Sequence, residues 1–104
     1  MAFQVSNQPT AQTIVELSSS FTGITAVTTA ETEVQLAAVT NAGGFFVKGH
    51  PDNTDTVWVM FEGQTKASAF PLNASELMYL PVNDLTHVFI DANVNGEKVC
   101  WIKA

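Results

Sequence analysis

Arginine is absent from this 104-residue chain, and four lysines stand against ten aspartates and glutamates, for a formal charge of −6. Phosphate backbones are gripped by clustered Lys and Arg. Lys48, Lys66, Lys98 and Lys103 are scattered and outnumbered, so nucleic acid is not expected as a partner. Cysteine is almost missing too: Cys100 alone cannot close an internal disulfide, and in Val99-Cys100-Trp101 it reads as a small buried hydrophobe. A reactive thiol needs nearby positive charge and access, which this context does not suggest. No apolar run approaches a membrane span, and Met1-Ala2-Phe3-Gln4-Val5 has neither the basic start nor the apolar stretch of a secretory signal. The expectation is a soluble product of cytoplasmic synthesis with no membrane partner, and Asn73-Ala74-Ser75 is then a chance match to a glycosylation acceptor.

Chemistry-bearing clusters are equally scarce. His50 lies beside a proline in a polar segment and His87 enters an apolar run, and neither has a companion at metal-ligand spacing. Asp52-Asn53-Thr54-Asp55 offers oxygens to a hard cation, but calcium takes six or more, and acidic turns are commonly only turns. The serines lie in polar runs rather than in a Gly-x-Ser-x-Gly elbow, and the glycines form no phosphate-cradling loop. No catalytic, metal or cofactor residue is therefore assigned, and a non-enzymatic protein is expected.

What is present, over residues 33–103, is a tempo of short apolar runs about every ten residues, divided by turn residues. Residues 1–23 differ, being rich in Gln, Ser, Thr and Asn, and read as an N-terminal arm; residues 24–104 read as one β-sandwich domain. Thr13-Ile14-Val15-Glu16-Leu17 either adds an edge strand or belongs to a disordered tail, with Phe3, Val5, Ile14 and Leu17 as the residues able to anchor the arm. Ile24–Thr28 reads as a strand, residues 31–39 as a strand or a short helix, and Phe45–Lys48 and Thr56–Phe61 as strands joined by a polar loop. Asn73 with Glu76 resembles a capping box, but Pro81 would stop such a helix after about two turns. A strand over Glu76–Val82 is preferred, with Leu77 and Tyr79 on one side and Met78 and Leu80 on the other.

Asn95-Gly96 predicts a type I′ hairpin joining Val88–Ala92 to Val99–Ile102. That register sets Ile90 against Trp101, Ala92 against Val99 and Phe89 against Ile102. About eight short strands without a long helix predict an all-β antiparallel sandwich of jelly-roll or related Greek-key topology. Val57-Trp58-Val59-Met60-Phe61 is apolar on both alternating sides, so Trp58 and Met60 are expected to meet another subunit if the valines face the core. Trp58 and Tyr79 offer a second reading, as stacking platforms for sugars.

The ordered series Phe46-Val47-Lys48, Asn53-Thr54-Asp55-Thr56-Val57-Trp58-Val59, Phe70-Pro71-Leu72-Asn73-Ala74-Ser75-Glu76, Val82-Asn83-Asp84-Leu85 and Val99-Cys100-Trp101-Ile102 resembles the small phage head decoration, or cement, proteins with a jelly-roll or β-sandwich body. The likeness covers a little over half of the chain, residues 44–102, and departs from the family where Phe61-Glu62 precede Gly63. It implies a non-enzymatic virion protein that oligomerises, as a trimer, and binds the major capsid protein on the outer capsid surface. The arm residues Phe3, Val5, Ile14 and Leu17 are then candidate capsid anchors, and Trp58 and Met60 candidate subunit contacts. A carbohydrate-binding or host-recognition module of a tail or fibre is the alternative, and a small β-sandwich hydrolase the third class.

Overall fold

A computed structural model describes residues 23–104 of the chain. Strands form where Val, Ile, Phe and Trp, which suit a pleated and half-buried surface, fall between turn residues. They are β1 (Gly23–Val27), β2 (Val34–Gln35), β3 (Phe45–Gly49), β4 (Val57–Phe61), β5 (Phe70–Leu72), β6 (Leu77–Leu80), β7 (Val88–Ala92) and β8 (Glu97–Lys103). Two antiparallel four-stranded sheets result, a front sheet ordered β1-β8-β3-β6 and a back sheet ordered β2-β7-β4-β5. The described residues are thus the all-β sandwich expected, with only short 3-10 turns at Lys66–Ser68 and Leu85–His87 besides strands. β1 pairs with β8, β2 with β7, β3 with β6 and β4 with β5. The body is one long hairpin doubled on itself, and each sheet takes two of its four rungs.

The core lies between the sheets. Val27, Phe45, Val47, Leu80 and Val99 enter it from the front sheet, and Val57, Val59, Leu72, Val88, Ile90 and Ala92 from the back sheet. Leu36 and Leu85 close it from the connections. Each fully buried Val, Leu, Ile or Phe contributes roughly 1.5–3 kcal/mol relative to exposure, which holds a body of this size without metal or disulfide.

Several ambiguous segments resolve for local reasons. Residues 31–39 are extended rather than helical: Glu31 has φ 66°, and Glu31 and Leu36 donate their N–H groups to the Ala92 and Val88 carbonyls at 2.8 Å each. Asn73 and Glu76 form half of a capping box, the Asn73 N–H donating to Glu76 Oε1 at 2.7 Å, while the Glu76 N–H donates to the Asn73 backbone carbonyl at 3.1 Å and the Asn73 side-chain oxygen accepts instead from the Thr56 hydroxyl at 2.7 Å. No helix follows because Ser75, at φ 66°, turns the chain out of the helical region, and β6 begins two residues later. Gly23, assigned to the arm in the sequence reading, already pairs with Trp101 in β1.

The Asn95-Gly96 turn corrects one expectation. β7 and β8 adjoin in sequence but lie in opposite sheets, with Ile90 across from Val59 and Val34 and Trp101 across from Val47 and Gly23. The pairs Ile90–Trp101, Ala92–Val99 and Phe89–Ile102 do not form. A type I′ turn needs positive φ at both central residues, whereas of the two only Gly96 has it, at 86°. The Asn95 side-chain oxygen instead accepts the Ala30 N–H at 2.6 Å, and the Gly96 N–H donates to the Val27 carbonyl at 2.7 Å. The turn therefore fastens the end of β1. Strands apolar on both sides match any apolar neighbour, so complementarity alone did not reveal that these two belong to different sheets.

Candidate functional site

The register of the front sheet determines which residues leave its outward side. Val27, Val47, Leu80 and Val99 point into the core, so their alternates point away. One row crosses all four strands as Ile24, Cys100, Lys48 and Leu77, and the next runs Ile102, Phe46 and Tyr79. Ala26 and Lys98 pair at the far end. Ile24 and Leu77 are 58% and 57% exposed and Tyr79 is 49% exposed, so three of the five exposed large hydrophobic side chains among the described residues lie on this face. Phe46 and Tyr79 are packed with ring centroids 5.4 Å apart, and the Tyr79 hydroxyl donates to the Gly43 carbonyl at 2.7 Å, fixing the ring against the sheet.

Charge on this face has one sign. No aspartate or glutamate occupies an outward position on the four strands, although the chain is acidic overall. Among the described residues Lys48 and Lys98 belong to no ion pair, whereas Lys66, on the other side of the molecule, is bound to Glu31 at 2.7 Å. Cys100 lies between them in the middle of the sheet. Burial pushes its thiol above the ordinary cysteine range, outweighing the pull of Lys48 and Lys98 in the other direction. It behaves as the buried hydrophobe read from the sequence.

Edges separate the sheets as well. A free strand edge invites another strand unless proline, charge or shortness blunts it. The back sheet has Pro71 in the middle of β5 and only two residues in β2. Among the described residues the front sheet ends in Gly-Ile-Thr-Ala-Val and Leu-Met-Tyr-Leu, with neither proline nor charge.

A cleft at one end of the sandwich has a volume of about 490 Å³ and is lined by residues including Phe61, Tyr79, Asp84 and His87. The His87 ring contacts Glu62 at 2.7 Å through Nδ1, and its Nε2 lies 3.8 Å from Asp84. The hydrogen bond to Glu62 raises the His87 pKa above its ordinary 6.5, and Asp84 is held below 3.8 first by the Thr86 hydroxyl and then by the Thr86 N–H. The Thr86 hydroxyl is thereby committed to Asp84 and offers His87 no proton to abstract. Among the described residues no group of three His, Cys, Asp or Glu is placed to hold a metal ion. The acidic loop is also committed. Asn53 bonds both backbone groups of Lys98 at 2.8 Å, and the Thr54 N–H donates to both oxygens of Glu97 at 2.7 and 3.0 Å. That loop is a latch onto β8.

Of the residues singled out from the sequence, Phe3, Val5, Ile14 and Leu17 lie outside the described residues. Trp58 leaves the outward side of the back sheet half-buried, and Met60 beside it is only 1% exposed. Met60 is corrected as a subunit contact, because the chain itself already covers it. Trp58 and Tyr79 project from opposite faces of the sandwich, so they cannot form one stacking platform. Ile24, Phe46, Lys48 and Lys98 were not singled out. Their signal was the alternation of Phe45–Lys48 and Leu77–Leu80, which shows two faces but not which one meets water.

No family model matches the chain, and no curated protein or solved structure matches it. Among the described residues no helix is long and apolar enough to cross a membrane.

Proposed function

We propose that the chain is a non-enzymatic protein-binding module and, within that class, a phage capsid decoration protein that forms a trimer and seats on the outer surface of the capsid shell. The observation behind this reading is the outward face of the front sheet, where Ile24, Leu77 and Tyr79 stand in water beside Phe46 and Ile102. The strand order, β1-β8-β3-β6 in one sheet and β2-β7-β4-β5 in the other, supports a jelly-roll reading, in keeping with the resemblance borne by residues 44–102. The major capsid protein is the proposed partner, the virion surface the proposed location, and the arm residues Phe3, Val5, Ile14 and Leu17 the proposed second attachment.

The size of this face limits what one contact can contribute. Four strands about 4.8 Å apart, over five residues, present a face on the order of 300 Å². That is less than half of the roughly 800 Å² per partner that specific interfaces bury, and covering it yields at most about 7–8 kcal/mol before the cost of association. A single such contact is weak. Repetition over a lattice and linkage within a trimer turn it into stable attachment.

The test is co-sedimentation of the full chain with capsid shells of the virus that carries it, alongside its mass by light scattering. A trimer that pellets with shells is expected, with occupancy lost in Ile24→Ser/Leu77→Ser and reduced on deletion of residues 1–17. A monomer that stays in the supernatant contradicts the reading.

A further inference from the structure

We infer that the front face recognises a protein surface that is apolar at its centre and bears carboxylates opposite Lys48 and Lys98, and that the same face of a second copy does not pair with it. The inference rests on the binding-module reading and specifies the partner's chemistry. In a chain of net charge −6, a side that among the described residues has two lysines, no acid and no internal ion pair is a local reversal of sign. An ammonium brought into an interface without a counter-charge keeps its desolvation cost, and a carboxylate across the contact offsets it. The partner must therefore supply the acids that this face lacks.

Self-association through the same face fails on that count. Two copies related by a twofold axis present the same patch to each other. Lys48 lies in an interior strand of the sheet, between Cys100 and Leu77. A twofold axis through the middle of the face would bring two Lys48 ammonium groups together with no carboxylate on either side, and like charges in contact disfavour that pairing. A twofold pairing of front faces is thereby disfavoured, and the shell is the proposed occupant of this face.

The experiment uses the full chain and shells stripped of it, with Lys48→Glu/Lys98→Glu, Leu77→Ser/Tyr79→Ser and the unaltered chain compared at 50 and 500 mM salt. Thermal melts and light scattering on each variant confirm the fold and the oligomeric state. The expected result is at least a tenfold loss of shell affinity for the lysine pair, a comparable loss for the apolar pair, weaker binding of the unaltered chain at high salt, and an unchanged oligomer. Binding insensitive to salt and to the lysine pair, but lost with the apolar pair, overturns the charge recognition and leaves the module reading standing. Binding indifferent to both pairs overturns the assignment of this face. Dissociation of the oligomer by Leu77→Ser/Tyr79→Ser overturns the assignment of this face to the shell. Absence of any shell binding by the unaltered chain overturns the underlying reading itself.

Discussion

Glu97 is 3% exposed, and no cation lies within ion-pair distance of it among the described residues. Its two oxygens are occupied by the Thr54 N–H at 2.7 and 3.0 Å, with the Thr54 hydroxyl more distant at 3.4 and 3.5 Å. A hydrogen bond to a charged group contributes about 1.5–3 kcal/mol. Glu97→Ala removes it, leaves the Thr54 N–H without its partner, and opens space at the end of β8 opposite Val27. The expected loss is about 2–3 kcal/mol, or a fall in melting temperature of roughly 8–24 °C for a body of this size. Glu97→Gln keeps one acceptor for Thr54 but adds an amide N–H without a partner, and should fall between the two. Asn53 holds the neighbouring residue, Lys98, by two backbone bonds of 2.8 Å. Asn53→Ala should therefore couple to Glu97→Ala, because one loop is released by either change. Urea unfolding of the four members of this cycle is the assay. A loss below about 0.5 kcal/mol for Glu97→Ala, the range of ordinary surface changes, or additivity within the same margin, would refute the latch.

Three further outcomes are expected. Gly49→Ala should destabilise by about 2–3 kcal/mol by overpacking, since a Cβ there overlaps the Asn73 carbonyl and breaks the bonds joining Gly49 to Ser75 and Glu76; hydrogen exchange should show β6 opening first. The His87 ring, titrated by NMR, should have its midpoint above 6.5 and move down in Glu62→Gln, because the Glu62 bond is the main cause of the rise. A raised pKa stabilises the fold fully below 6.5 and ceases to do so as pH rises through the folded value, while the lowered Asp84 pKa stabilises above 3.8 and ceases to do so as pH falls through its own folded value. Both contributions are thus present together between those limits. Cys100, 7% exposed with its thiol pushed up by burial, should react with a thiol reagent at least tenfold more slowly in the native chain than in urea; equal rates would contradict its burial.

Periodicity made most of the strands legible. Leu77–Leu80 shows why: Met78 and Leu80 turn inward while Leu77 and Tyr79 remain exposed, as strict alternation requires. Residues 31–39 could not be settled in the same way, because the feature that decides them is the positive φ at Glu31, a residue type with no strong demand for it. Strand partners were less legible still. Every pair proposed for β7 and β8 was chemically sensible, yet the chain crosses between sheets at Asn95-Gly96, where a side-chain bond to Ala30, 65 residues away in sequence, holds the turn. Such a contact leaves no local mark. The latch of Asn53 and Thr54 on β8 was likewise invisible, since its acidic and amide residues are those of any polar turn.

The site shows the same limit in a more instructive form. β4 is the most apolar strand on both sides, and from composition alone its outward residues should need a partner; Met60 shows that the chain has already met that need. β3 and β6 look less demanding because lysine and tyrosine interrupt them, yet their outward side chains are the ones in water. Exposure is decided by what crosses over a strand rather than by the strand's own residues. The positions of the exposed groups also fix the mode of contact. Side chains of a sheet stand roughly perpendicular to it, and Ile24 lies on one edge strand while Leu77 and Tyr79 lie on the other. A strand added at either edge would reach one end of this patch and leave the other in water. Only a partner laid flat across the sheet, at the spacing of about 10 Å typical of stacked sheets, covers both ends and meets Lys48 between them.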